Sequence, residues 1–265
     1  MSSKPFTTAP QDVTMASEAP VKWAKESGHW YDSVTGEPRY TIVGKNGQER
    51  ATTVRDARKH NYVPSVTTVL NCAAKWGLER WKAEQLLMAG LTLPKQDGET
   101  ETAWIGRVWD DSKQQAIKAA ERGTAIHAAV ESFYRDGRYL DEFTPWVNAV
   151  EKCVMECFGN PDWSAEKSFA NPLGYGGKGD LHSNGAVLDF KTKDGDLGGV
   201  KLWDDHFMQL AAYSVGLGRA TATCGIVFIS RTEPKATACI LSADEQDRGW
   251  RMFSALLDYW KAANL

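Results

Sequence analysis

Gly177-Lys-Gly-Asp180-Leu-His-Ser-Asn-Gly-Ala-Val-Leu-Asp189-Phe-Lys191 is the stretch on which the reading of this chain turns. Asn184-Gly185 is the strongest two-residue hairpin signal. With those two at the turn, Ser183 faces Ala186, Leu181 faces Leu188 and Asp180 falls opposite Asp189. A slip of one residue sets Asp180 against Leu188 and mixes polar with apolar faces, so the first register is preferred.

Two aspartates directly opposite each other have Cβ atoms roughly 4.5–5.5 Å apart, where like charges destabilise a sheet. A shared divalent cation removes that cost, and Mg2+ prefers such oxygens. Lys191 lies two residues beyond Asp189 and projects from the same face. An ammonium there orients water and offsets developing charge, as metal-assisted phosphodiester hydrolysis needs. The bland alternative is a solvent-facing strand whose charges are held apart by twist.

Strand-like segments surround this hairpin at 163–170, 177–183 and 186–192, and again at 224–230 and 236–241. Helical patterns run over 103–133, with a bend expected at Gly123, and over 145–158, 207–217 and 244–263. Upstream, 29–32 and 39–43 read as two strands around a turn. Asn46-Gly47 is a second hairpin signal leading to a strand near 51–54. Pro64-Ser65 opens a helix with Ser65 as its N-cap, 78–89 is helical, and 91–102 is a loop. The expected fold is α/β (mixed α+β): a central mixed sheet flanked by helices. Residues 1–20 read as a disordered tail, 21–62 as an N-terminal β-hairpin region packed on the core, and 63–265 as the main domain.

Composition narrows the classes. The chain has 265 residues, 42% apolar and 25% charged, which excludes a wholly disordered, collagenous or coiled-coil protein. Its net charge of −3 argues against a non-specific cationic nucleic-acid binder and leaves room for a local basic groove. No apolar run approaches a membrane span, so no membrane partner is expected. The five cysteines form no CxxC pair, so neither a zinc ribbon nor an iron–sulfur cluster is expected, and reduced thiols point to the cytoplasm. Eleven tryptophans are scattered along the chain. Trp76 and Trp81 are expected to pack in the core, with base stacking as the alternative.

Two further clusters carry chemistry. In Arg122-Gly-Thr-Ala-Ile-His127-Ala-Ala-Val-Glu131, His127 and Glu131 share a helix face at i, i+4, and a neutral imidazole is a metal ligand. In Gln209-Leu-Ala-Ala-Tyr213 the two polar residues also share a face, with His206 one turn earlier. Each cluster alone also reads as an ordinary polar helix edge.

Together the pieces Gly123-Thr124-x-x-His127-x-x-x-Glu131, Gly179-Asp180, Asp189-x-Lys191 and Gln209-x-x-x-Tyr213 resemble the RecB-like exonucleases of the PD-(D/E)XK nuclease superfamily. Pro64-Ser-Val-Thr-Thr-Val-Leu70 with Leu78-Glu-Arg-Trp81 is similar to the entry segment of phage exonucleases and of the mitochondrial genome maintenance exonuclease. The resemblance spans 64–213 and implies a restriction-endonuclease-like core with a helical extension. It implies Mg2+ or Mn2+ held by His127, Asp180, Asp189 and the backbone carbonyl of Phe190, with Glu131 and Glu166 as outer or second-metal carboxylates. It gives Lys191 the attacking water, and Gln209 and Tyr213 a bracing or backbone-contacting role. The "PD" proline is replaced by Gly179, and the iron–sulfur cysteines of some relatives are absent.

The expected activity is DNA exonuclease in phage-type replication or recombination, in a bacterial host cytoplasm if phage-encoded. The expected partners are single- or double-stranded DNA ends and a single-strand-annealing or single-strand-binding protein. The alternatives are a structure-selective endonuclease or resolvase on the same fold, and a catalytically silent end-binding module. Ser65, Thr67, Thr68, Lys75, Arg80 and Lys82 are candidate DNA contacts, since hydroxyls at a helix start and nearby cations suit phosphates.

Overall fold

The predicted hairpin forms in the expected register, and a mixed sheet grows on both sides of it. The computed structural model describes residues 28–265, with the backbone alone for 115–120; the tail expected over 1–20 lies outside the described residues. β1 (Trp30–Asp32), β2 (Thr41–Val43), β3 (Glu49–Ala51), α1 (Val54–His60), β4 (Tyr62–Pro64), α2 (Val66–Leu70) and α3 (Trp76–Thr92) come first. α4 (Glu101–Asp136), a 3-10 turn at Asp141–Phe143 and α5 (Thr144–Phe158) follow. β5 (Ser164–Asn171), β6 (Tyr175–His182), β7 (Ala186–Lys193), α6 (Asp204–Gly216), β8 (Thr223–Ser230), β9 (Ala236–Ile240) and α7 (Ala243–Asn264) complete the chain.

The main sheet has the order β5-β6-β7-β8-β9. It is an antiparallel meander through β7, then a parallel β7–β8 pair, then an antiparallel β9. Parallel neighbours need a crossover, which α6 supplies. Ala186–Phe190 and Cys224–Ser230 are buried throughout, as central strands covered on both faces must be. One face packs Val187, Ile226 and Phe228 against Leu210 of α6 and Phe253 and Leu257 of α7. The other packs Leu188, Phe190, Val227 and Ile229 against Ile126 and Val130 of α4 and Val150 and Val154 of α5.

Local chemistry sets the helix ends. Ser65 caps α2 by accepting the Thr68 N–H, and Thr100 caps α4 by accepting that of Ala103. Ser242 and Glu245 make a reciprocal capping box on α7. Gly137 ends α4 at φ 72°, a conformation with no Cβ penalty.

Three expectations are corrected. β1 pairs with β4 as well as with 37–39, where Asp32 N–H donates to Glu37 O, Arg39 N–H to Trp30 O and Tyr31 bridges Pro38, while β2 pairs with β3 instead of β1. The strand expected near 51–54 lies at Glu49–Ala51, and Val54 opens a helix, because Thr53 and Asp56 form a capping box that the strand pattern hides. Trp76 is 81% exposed and Trp81 41% exposed. Apolar residues lie on every side of α3, whose main neighbour is α4, so one helix contact cannot cover them all.

Candidate metal centre and active site

The β6–β7 ladder pairs His182 with Val187 and Leu181 with Leu188, then stops one residue short of the aspartates. Asp180 does not sit in a regular cross-strand pair. Its Oδ2 accepts the Phe190 N–H at 2.8 Å, replacing a ladder bond with a charge-assisted one. Asp189 is buried and has different partners. Gln209 Nε2 donates to its Oδ1 at 2.8 Å, and the Lys191 ammonium lies 2.5 Å from its Oδ2. Tyr213 OH accepts from the same Gln209 amide at 3.2 Å, so α6 holds Asp189 through a two-link brace.

α4 brings the histidine. A Cβ at Gly123 would stand 2.4 Å from Thr192 Oγ1, so glycine is what allows this close approach of helix to strand. One turn on, Ile126 is buried in the core beneath Leu181, Leu188 and Phe190. His127 then lies between two carboxylates: Nδ1 is 2.8 Å from Glu131 Oε1 and Nε2 is 3.1 Å from Asp180 Oδ2. Its ring meets Phe190 edge-on at 6.0 Å.

The titrating groups are driven apart. Burial pushes the Asp189 carboxyl up to about 7; Lys191 opposes this and Asp180 adds to it. For Asp180 burial also pushes upward, but His127 and the Phe190 N–H outweigh it and hold the group low. Burial disfavours a charged His127, yet the Asp180 and Glu131 carboxylates raise it to about 10. Burial raises Glu131, partly offset by His127, and Glu166 raises it further. Burial works against a charged Lys191, and Asp189 more than restores it.

His127, Glu131 and Asp180 place ligand atoms within 4.8 Å of one another and are so arranged that they can hold a metal ion. Asp189 is outside this group, held by Gln209 and Lys191. The donor set fits a divalent cation: two carboxylates and an imidazole. Both ring nitrogens face carboxylates, a crowding of acidic oxygens that a cation relieves. Phe190 contributes its N–H here, to Asp180.

Glu166 borders the cluster. It has φ 53° inside β5, a conformation costing a non-glycine residue about 1 kcal/mol or more. It lies between the ladder pairs Ala165–Leu181 and Lys167–Gly179. Its carboxylate meets Lys178 at 2.6 Å and Arg135 at 3.3 Å, and it hydrogen-bonds with the Glu131 side chain. Lys178 and Arg135 carried no motif. The only signal was Lys178's place two residues before Asp180, on the same side of the strand.

The other candidates have local partners. Ser65, Thr67 and Thr68 join their hydroxyls in the α2 cap, and Thr68 also accepts the His29 N–H. Lys75 reaches Asn71, Arg80 pairs with Glu84 and Lys82 with Glu79. Among the described residues no helix is long and apolar enough to cross a membrane.

No family model matches the chain, and no curated protein matches it. Among solved structures it is similar to a candidate exonuclease from Eubacterium rectale, at 12% identity and TM-score 0.38, covering 54% of this chain and 69% of that one. It is also similar to SSO0001, at 15% identity and TM-score 0.30, covering 69% of this chain and 86% of that one. Likenesses this loose carry no functional weight, which rests on the site itself.

Proposed function

We propose that the protein is a Mg2+- or Mn2+-dependent nuclease that hydrolyses DNA phosphodiester bonds from strand ends. One observation carries this: Asp180 meets the His127–Glu131 helix face at the point where two strands part, with Asp189 and Lys191 within electrostatic reach of it. His127, Glu131 and Asp180 would hold the cation, with Asp189 at its side. The cation would supply Lewis-acid polarisation of the phosphate and an acidified water. Gln209 and Tyr213 keep the Asp189 carboxylate aimed. Lys191 is positioned to hold the attacking water and to meet charge growing on the phosphate oxygens. The exonuclease assignment and the role in replication or recombination follow the family resemblance.

The test is digestion of end-labelled single- and double-stranded DNA with Mg2+, with Mn2+ and with chelator, alongside a closed circle. Metal-dependent release of nucleotides from the ends, with the circle intact, supports the proposal. Nicking of the circle favours the endonuclease alternative. DNA binding without cleavage favours the silent end-binding module.

A further inference from the structure

His206 sits in the first turn of α6, three residues before Gln209. Its Nδ1 accepts the Trp203 backbone N–H at 3.1 Å, as part of the capping of that helix. An accepting Nδ1 fixes the neutral tautomer with its proton on Nε2. That Nε2–H has no hydrogen-bond partner among the described residues. The half-buried ring packs edge-on to Phe228, with centroids 5.8 Å apart. Phe228 is the register partner of Lys191 on the adjacent parallel strand. The imidazole therefore lies one strand from the Lys191 side chain, on the α6 side of the sheet. Lys191 and Asp205 are the charged groups that act on it. Burial and the Lys191 ammonium pull it below its ordinary value, against Asp205, so it stays a neutral donor.

This position of a capping box needs only an acceptor, as Asp56 supplies in α1 and Glu245 in α7. Histidine adds a second, rigidly placed donor beside the catalytic lysine. We propose that His206 is a substrate-binding residue whose Nε2–H donates to a non-bridging oxygen of the phosphate at or next to the scissile bond. This rests on the nuclease proposal above. Such a donor adds a hydrogen bond without adding a fixed charge that would compete with the metal.

Three variants separate the donor from the cap. In His206→Asn the side-chain oxygen takes the Nδ1 place and nothing reaches the Nε2 place. In His206→Gln the side-chain oxygen accepts the Trp203 N–H, as glutamine does at this position of a capping box, and the Nε2 donor is again lost. In His206→Ala both are lost. Thermal melting and kcat/KM are measured for each, with DNA affinity in Ca2+. Melting should follow the cap, so His206→Asn melts near wild type. Cleavage should follow the donor: His206→Asn and His206→Gln each lose about 10–100-fold in kcat/KM, as for one hydrogen bond to a charged group, while melting stays near wild type. If kcat/KM tracks melting across the three, or if His206→Asn cleaves like wild type, His206 is a cap only and the assignment fails. A wild-type protein that cleaves nothing with either metal overturns the nuclease proposal, and the substrate role of His206 with it.

Discussion

Asp180 accepts the backbone N–H of Phe190, the residue between Asp189 and Lys191 on the neighbouring strand. One 2.8 Å bond therefore ties the first carboxylate to the segment that carries the second and the lysine. The strands part here so that a side chain, rather than a carbonyl, satisfies that N–H, which leaves the two carboxylates free to take separate partners.

Asp189→Asn should abolish most metal-dependent cleavage and leave melting within a few degrees of wild type. The amide oxygen can still accept from Gln209, and the repulsion from Asp180 is gone. Cleavage assays and melting curves on the same preparation check it; near-wild-type turnover would remove Asp189 from the catalytic site.

Glu131→Gln and His127→Ala should each weaken Mn2+ binding at least about tenfold in a calorimetric titration, since each removes a ligand or its immediate support. Asp189→Asn should weaken it less, because Asp189 stands outside the tight cluster. An unchanged affinity in Glu131→Gln, with a loss in Asp189→Asn, would return the metal to the aspartate pair.

Lys191→Ala should bind DNA in Ca2+ nearly normally yet cleave at least roughly 10²-fold more slowly in single turnover. The ammonium stands against Asp189 in the resting site, where it neutralises, but its larger task comes as phosphate charge develops. A loss of affinity equal to the loss of rate would make it a phosphate-binding residue instead.

Gly123→Ala should cost about 1–3 kcal/mol, because the new methyl group drives α4 off β7 and displaces His127. Adding Thr192→Ala removes the oxygen at 2.4 Å and leaves the Thr192 Cβ at 3.4 Å, an ordinary contact. The double variant should regain most of the stability and the Mn2+ affinity. Additive losses in denaturant unfolding would contradict this account.

In chelator the protein should lose stability as pH rises. Asp189 is raised to about 7, so the folded state holds a proton that the unfolded chain releases near pH 4; that advantage disappears as pH climbs through 7. His127 is raised to about 10, so its contribution is complete below about 6.5 and lost through 10. Both slopes have the same sign. Melting temperatures from pH 5 to 9 should fall in wild type and fall less in Asp189→Asn over pH 5–7. A rise with pH would reverse the assignment.

From β5 onward the order of strands and helices, with the Asn184-Gly185 turn and the Leu181–Leu188 register, was legible in the chain. Each rests on local periodicity and turn chemistry that a short window contains. The same holds for His127 and Glu131 on one helix face, and for Gln209 and Tyr213 on another. The early β1–β4 pairing was not legible, because an extended segment does not name its partner. The exposure of Trp76 and Trp81 was also hidden, since it depends on how few elements pack on α3.

The partners of the carboxylates belong to tertiary structure alone. Which aspartate faces His127 and which faces Lys191 was decided by α4 and α6 settling on opposite faces of the sheet. Gly123 permits the first approach, against Thr192, and the Gln209 amide secures the second at Asp189. Sequence spacing placed the acidic groups near one another, but burial and the distances between separate elements drove their proton affinities apart.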